Sequence, residues 1–404
     1  MRVMNRENTT LLIMGLTFGF VFVDRLSINF LMPFITDELK INNTQIGLLA
    51  SALAVSWAIS GYILSNYCTK NGNRVAVLIG SVVLFSLLTV FSSFSTSFIV
   101  LLGFRILMGV AEGPVLPISQ SILIESSSEK RRGFNMGFVQ NAAANLFGSV
   151  LAPMVLIYVA ENYGWRNAFI VAGVPGLLVA YLIYRFIHLP KSVSSEQASA
   201  SNSGIHLLDL LKNRNVVVSM FLSCMMVTWM FSQLVFMPVY LTKIQHYTGY
   251  QMGTVMSVLG ISAVVSGLVV PSLSDMFGRT TVFRLFALLS IFCPLCILYL
   301  YQYQGMMMIS MFVLYFGLGA VPLVMATIPS ESVSAKHIVG TLGVVMGVSE
   351  VLGGFIGPSL SGVLADHFGM QAAFYFASTL ALCAFLLSFA LKETAPKFVS
   401  AQVA

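Results

Sequence analysis

Four charged residues lie inside long hydrophobic runs, and their types and positions suit them to chemistry. Asp24 and Arg25 are adjacent in the run from Leu11 to Ile35, and Arg105 and Glu112 lie in the fourth run. A charge at the centre of a lipid bilayer costs roughly 2.5 to 3.5 kcal/mol on biological insertion scales. Charges placed there need partners or water, so they indicate a path for a polar solute across a membrane.

The spacing of these residues suggests what each can do. Arg105 and Glu112 are seven residues apart, so on a helix they differ by only about 20° in direction and lie about 10 Å apart along the axis. A guanidinium is a planar fork that matches a carboxylate and stays charged, so Arg25 and Arg105 suit an anionic substrate. Asp24 and Glu112 are suited to take up and release a proton when their surroundings change. The alternative is a set of static ion pairs between the first and fourth helices.

Three further polar residues are candidates for substrate contact. Glu350 is a fifth charge in a hydrophobic run, and it falls opposite Asn145 when the fifth and eleventh runs are aligned on their prolines. We interpret Glu350 either as a contact for a substrate hydroxyl or as a second proton site, with simple packing against serine or backbone groups as the alternative. Gln233 and Asn141 are candidate hydroxyl-binding residues. For each of these two, the alternative is a helix–helix hydrogen bond worth about 1 kcal/mol.

The elements that must position these residues are membrane-spanning helices. The chain has 404 residues, of which 57% are hydrophobic and 9% charged, whereas soluble domains have about 25% charged residues. Crossing the hydrocarbon core takes roughly 20 helical residues. We therefore predict an all-α integral membrane protein with twelve helices, at about 9–35, 44–67, 74–93, 96–124, 133–159, 165–188, 215–241, 250–273, 281–302, 306–329, 338–364 and 369–391.

Basic residues orient the predicted helices. With the amino terminus in the cytoplasm, sixteen of the 21 Lys and Arg residues fall on the inner side, and only Lys40, Arg166 and Lys243 fall on the outer side. This distribution follows the positive-inside rule. It predicts a multi-pass protein of the inner (cytoplasmic) membrane with both termini in the cytoplasm. The net charge of +6 is then a signal of topology, and we expect no nucleic-acid partner.

The two halves of the chain repeat each other. The stretch Asn162–Ala172, which opens the sixth predicted helix, is similar to His367–Ala377, which opens the twelfth. Between the halves, Ser192–Gly204 is rich in Ser and Ala and is too polar to form a packed core. The predicted organisation is an N-terminal six-helix half (1–188), a cytoplasmic linker (189–214) and a C-terminal six-helix half (215–404).

Duplicated six-helix halves joined by a polar loop resemble the major facilitator superfamily. The stretch Leu273–Arg279 is similar to the loop signature of that superfamily, in which Asp275 and Arg279 would latch the halves on the cytoplasmic side. The first-half copy departs from the signature, because Ser65 stands where an Asp is expected. The stretch Arg105–Gly113 resembles the superfamily's fourth-helix motif, in which the Arg is often tied to proton coupling.

Within the superfamily, Phe22–Phe30, Gln45–Ser51 and the Arg105–Pro114 stretch resemble the anion:cation symporter family. That resemblance implies proton symport of an organic anion, in particular a sugar acid such as a galactonate or a hexuronate. Carried over residue by residue, Asp24 and Glu112 would be the protonation pair, while Arg25 and Arg105 would pair with these carboxylates and with the substrate. We expect a monomer in the bilayer that takes a small organic anion, with the proton as coupling ion and neither a cofactor nor a metal.

Other functions are weighed against this one. The chain has no Gly-x-x-x-x-Gly-Lys-Ser/Thr stretch, so transport driven by nucleotide hydrolysis is not expected. The alternatives are a proton-coupled antiporter of drugs or metabolites, an aromatic-acid proton symporter, and a receptor on a transporter fold. We do not expect an enzyme, because the predicted helices carry neither a metal-spaced His cluster nor a Ser-Lys pair.

Overall fold

The computed structural model describes residues 6–71, 73–128, 131–187, 212–334 and 337–398. These residues form the twelve predicted membrane-length helices, which confirms the fold class. The predicted linker, 189–214, lies outside the described residues up to Leu211. We name the helices α1 to α12: Arg6–Leu39, Asn43–Asn71, Arg74–Ser92, Phe98–Ser126, Phe134–Tyr163, Trp165–Phe186, Arg214–Ile244, Gly249–Phe277, Arg279–Tyr299, Gln304–Glu331, Gly340–Phe368 and Gln371–Ala390.

Tight connections join α5 to α6 and α11 to α12 at the repeated motif. Gly164, with φ 88°, is the whole connection from α5 to α6, and Gly369, with φ 85°, begins the two-residue connection from α11 to α12. Glycine enters this region of backbone space without the steric cost that a Cβ atom brings. The repeat seen in the sequence therefore corresponds to the same backbone turn at both places.

The chain divides into two compact units. The first contains α1, α3 to α6, most of α2 and the segment Tyr247–Ile261 at the start of α8. The second contains α7, α9 to α12, the rest of α8 and the segment Asn42–Ser51 at the start of α2. Each unit thus holds most of one predicted half, together with one segment from the other half.

A carboxylate contacts the start of each of these two segments. In the first unit, Glu161 at the end of α5 accepts a hydrogen bond of 2.6 Å from Gly249 N at the start of α8. In the second unit, Asp366 near the end of α11 accepts from Asn43 N (3.0 Å), Thr44 N (2.8 Å) and Thr44 Oγ1 (2.6 Å) at the start of α2. The first N–H groups of a helix have no partner within that helix. A carboxylate from another helix supplies the missing hydrogen-bond acceptor and also interacts favourably with the helix dipole.

In the first unit, α1 packs against α3, α4, α5 and α6. Its apolar core includes Met14, Phe85, Leu78 and Val115, which are at most 1% exposed. Helices α2 and α4 approach closely, because a Cβ atom added to Gly109 or Gly113 would lie 2.0 Å from a serine Oγ atom of α2. This packing places the middle of α4 beside α1 and α2.

Candidate substrate and proton site

Helix α4 presents Arg105 and Glu112 to the interior of the first unit. Its residues Phe98–Glu112 and Val115–Ser126 form two helical segments that meet at Gly113 and Pro114. Arg105 is 2% exposed and Glu112 is fully buried. Their predicted placement on one buried side of α4 therefore agrees with the structure.

Helix α1 brings Asp24 and Arg25 to the same region. Asp24 is 1% exposed, and its Oδ1 atom accepts a hydrogen bond from the Thr89 hydroxyl of α3. Arg25 is half-buried, and its guanidinium carbon lies 5.3 Å from the centre of the Trp57 ring. Arg105 Nη2 donates a hydrogen bond of 3.1 Å to the backbone carbonyl of Arg25. One buried cluster thus gathers all four charged residues selected from the sequence.

The charges of this cluster act on one another. Glu112 interacts electrostatically with Arg25 and Arg105, and Asp24 interacts with Glu112 and Arg105. Asp24 Oδ2 and both Glu112 carboxylate oxygens accept no hydrogen bond from the residues that the structure describes. Buried charges that face each other without a full set of hydrogen bonds stabilise a fold poorly. The proton-coupling role predicted for Asp24 and Glu112 stays a prediction.

Asn141 also lies in the first unit, in a π-helical segment of α5, Phe138–Ala143. Asn141 is exposed, and its backbone carbonyl accepts a hydrogen bond of 3.0 Å from Asn145 Nδ2. A second π-helical segment follows at Leu146–Leu151. Wide turns of this kind occur often at functional sites, and no pattern in the sequence indicates them. The role predicted for Asn141 stays a prediction.

Gln233 and Glu350 belong to the second unit. Gln233 is fully buried, and its Nε2 atom donates 3.2 Å to the Trp229 carbonyl of its own helix. Glu350 is half-buried in the π-helical segment Ser349–Ile356 of α11. Asn145, which the sequence alignment pairs with Glu350, lies between the two π-helical segments of α5. The roles of Gln233 and Glu350 toward a substrate stay predictions.

The signature residues Asp275 and Arg279 pair within the second unit. Arg279 Nη1 bonds to Asp275 Oδ1 and to Ser274 Oγ, and Arg279 Nη2 donates 3.0 Å to Glu331 Oε1. These contacts join the end of α8, the start of α9 and the end of α10. Their predicted role as a cytoplasmic latch between halves stays a prediction.

The carboxylate of Glu393 stabilises the start of α9. Glu393, which follows α12, accepts from the backbone N–H groups of Arg279 (2.8 Å), Thr280 (3.0 Å) and Ala395 (3.0 Å) and from the Thr280 hydroxyl (2.7 Å). Burial raises the pKa of Glu393, but these hydrogen bonds outweigh burial and hold that pKa below its ordinary value. Glu393 is therefore a structural carboxylate that is ionised at neutral pH.

The comparisons with known proteins agree with this architecture. The family model described as Major Facilitator Superfamily matches residues 14–352 and 272–403. The chain belongs to the major facilitator superfamily. It is therefore a multi-pass membrane transporter and not an enzyme.

Similar proteins in this superfamily include two named after organic anions. The chain is 25% identical to the D-galactonate transporter of Escherichia coli O6:H1, over 93% of this chain and 93% of that protein. It is 22% identical to the phosphoglycerate transporter protein of Salmonella typhimurium, over 88% and 82%. A solved nucleoside transporter superposes with a TM-score of 0.82 at 13% identity, covering 95% of this chain and all of that chain. The last likeness concerns the fold alone.

Proposed function

We propose that this transporter of the major facilitator superfamily imports an organic anion, of the sugar-acid class, by proton symport with alternating access. The observation that carries the proposal is the buried cluster in the first unit, where Asp24, Arg25, Arg105 and Glu112 meet between α1 and α4. Four static charges would be an expensive way to join two helices, because apolar packing of similar volume does so at little or no loss.

The two arginines have the chemistry for the anionic part of a substrate. D-Galactonate and phosphoglycerate, after which the two relatives are named, share a carboxylate. A guanidinium binds a carboxylate through two parallel N–H···O bonds, which adds geometric selectivity to charge attraction. We assign the substrate carboxylate to Arg25 and Arg105, and we propose Asn141, Gln233 and Glu350 as contacts for its hydroxyl groups. For Glu350, a second proton site is the alternative.

The two buried carboxyl groups have the chemistry for coupling. Glu112 precedes Gly113 and Pro114, where α4 is interrupted, and broken helices are tolerated in membranes where they line a cavity or water. A proton on Glu112 removes a charge that must otherwise be carried through the bilayer. We infer that Glu112 takes a proton from the outside with the substrate and releases it inside, and that Asp24 shares this proton.

The transporter acts, in this proposal, as a monomer in the inner membrane with both termini in the cytoplasm. Its coupling ion is the proton, and it uses no cofactor. An aromatic-acid symporter would use the same arginines. Competition between benzoate-type acids and labelled D-galactonate for uptake separates the two substrate classes. An antiporter would move protons in the opposite direction.

Glu112→Gln tests the coupling role. In proteoliposomes with an acidic exterior, the variant should exchange labelled D-galactonate across the membrane but fail to accumulate it, because glutamine mimics the protonated acid and cannot release a proton. Raising the external pH should slow uptake by the parent protein and leave exchange by the variant nearly unchanged. The control is Glu125→Gln at the end of α4, whose carboxylate pairs with Arg74 at 2.6 Å and should leave accumulation intact. Accumulation by Glu112→Gln at the parent level would refute the role of Glu112.

A further inference from the structure

Thr89 of α3 contacts the proposed proton site from outside α1 and α4. It is fully buried, and its hydroxyl oxygen lies within hydrogen-bond distance of two acceptors. One is Asp24 Oδ1 of α1, and the other is the Phe85 carbonyl of its own helix, at 3.0 Å. Among the described residues, Thr89 provides the one hydrogen bond that the Asp24 carboxyl group receives.

A threonine hydroxyl has one hydrogen to donate and lone pairs with which to accept. It therefore cannot donate to Asp24 and to Phe85 at the same time. When Asp24 is ionised, the hydroxyl can donate to the carboxylate. When Asp24 is protonated, the acid can donate its hydrogen to Thr89 Oγ1, and the hydroxyl hydrogen can turn to the Phe85 carbonyl. Both protonation states are then satisfied by rotation about one side-chain bond.

The charged groups facing Asp24 do not provide this choice. Arg25 is its neighbour on α1, and Arg105 and Glu112 face it from α4. The other helices packed on α1 carry titratable side chains only toward their ends: Arg74 on α3, Tyr158, Glu161 and Tyr163 on α5, and Arg166, Tyr181, Tyr184 and Arg185 on α6. An arginine donates hydrogen bonds and accepts none. Thr89 offers a group that both donates and accepts without carrying charge, and this group lies within hydrogen-bond distance of the Asp24 carboxyl group.

We propose that Thr89 is a positioning residue for proton binding at Asp24, donating to the carboxylate and accepting from the carboxylic acid. This proposal rests on the proposed function, because it assigns the residue that supports each protonation state of one of its two proton carriers. It also predicts a division of roles. Thr89 acts on the proton and leaves binding of the anion to the arginines.

Thr89→Val tests the proposal, since valine keeps the shape and removes the hydroxyl. Both protonation states lose a hydrogen bond, but the bond to the ionised carboxylate is roughly twice as strong as the bond from the neutral acid. The substitution therefore favours the protonated form on the order of tenfold. The pH of half-maximal D-galactonate uptake into proteoliposomes should therefore rise by about one unit. The maximal rate should fall, because proton release on the inside is hindered, while the affinity of the purified protein for D-galactonate stays within about twofold. Thr89→Ser restores the hydroxyl and should restore the parent pH profile.

Thr17→Val is the matched control. Thr17 is also fully buried in the first unit, but its hydroxyl donates to the Ile13 carbonyl of its own helix at 2.7 Å. This variant should share any loss of stability with Thr89→Val and keep the parent pH profile. Infrared spectroscopy adds a readout without transport. The carboxylic-acid C=O band that disappears in Asp24→Asn should change wavenumber in Thr89→Val and remain in place in Thr17→Val.

The outcomes separate the two proposals. An Asp24 band and a pH profile that are the same in Thr89→Val and Thr17→Val would overturn the role of Thr89 and leave proton symport standing. A parent protein whose uptake does not respond to pH would overturn the proposed function itself. An unchanged profile in Thr89→Val, with a changed profile in Thr89→Ser, would also refute the positioning role.

Discussion

Arg105→Lys is the substitution that most sharply separates a substrate-binding arginine from a structural one. It keeps the positive charge between the two buried carboxyl groups, so the electrostatic partners of Asp24 and Glu112 remain. It removes the guanidinium fork. A lysine ammonium has three donors around one point and cannot make the paired, parallel bonds of an arginine with a carboxylate.

The size of the effect follows from the contacts of Arg105. Its Nη2 atom donates 3.1 Å to the Arg25 carbonyl, which fixes the plane of a side chain that is only 2% exposed. A guanidinium can donate to that carbonyl and to the substrate carboxylate from one fixed plane. A lysine ammonium has no such plane, so it cannot hold the carboxylate with two parallel bonds while it donates to the carbonyl. One charge-assisted hydrogen bond is worth about 1.5 kcal/mol. The dissociation constant for D-galactonate should therefore rise roughly tenfold.

Calorimetric titration of the purified protein measures this constant directly. Arg74→Lys is the matched control, because Arg74 is also a buried arginine of the first unit, at 9% exposure, but pairs with Glu125 at 2.6 Å. Its variant should bind D-galactonate as the parent does. An affinity of Arg105→Lys within twofold of the parent would return Arg105 to the role of a static ion pair.

Two further predictions concern the carboxylates that hold helix ends. Asp366→Ala should lower the free energy of unfolding by about 1 kcal/mol, because it removes the acceptor for the first N–H groups of α2. Thermal unfolding in detergent measures this loss, and an unchanged midpoint would contradict the capping role. Glu393→Gln should destabilise the protein at pH 7 by about 1 kcal/mol. Because folding holds the pKa of Glu393 below its ordinary value, that stabilisation is complete above the ordinary glutamate pKa of about 4.3 and is lost as the pH falls through the folded-state pKa. The difference between parent and variant should stay constant from pH 7 down to about pH 4.3 and shrink below it, and a difference that stays constant from about pH 4 to about pH 2 would contradict the assignment.

The sequence was sufficient to predict the twelve helices and the four charges that cluster within them. Helix length and hydropathy set the spans, and a seven-residue spacing put Arg105 and Glu112 on one side of α4. The repeated glycines Gly164 and Gly369 pointed to a duplicated fold, and the structure gives them the same backbone turn.

Contacts between distant parts of the chain were beyond the sequence. Thr89 lies 65 residues from Asp24, and nothing in the polar residues of α3 distinguishes it from its neighbours Ser86 and Ser92. Glu161 likewise contacts Gly249 across 88 residues. The π-helical turns depend on tertiary packing, so hydrophobic periodicity did not indicate them.

The direction of proton movement tests the central claim most directly. Proteoliposomes that enclose a pH-sensitive dye and contain the parent protein are given D-galactonate outside, with no imposed pH gradient. Proton symport predicts that the interior becomes acidic as the sugar acid enters, and that Glu112→Gln vesicles show no such change. An interior that stays at constant pH while labelled D-galactonate enters, or that becomes alkaline, would contradict the account.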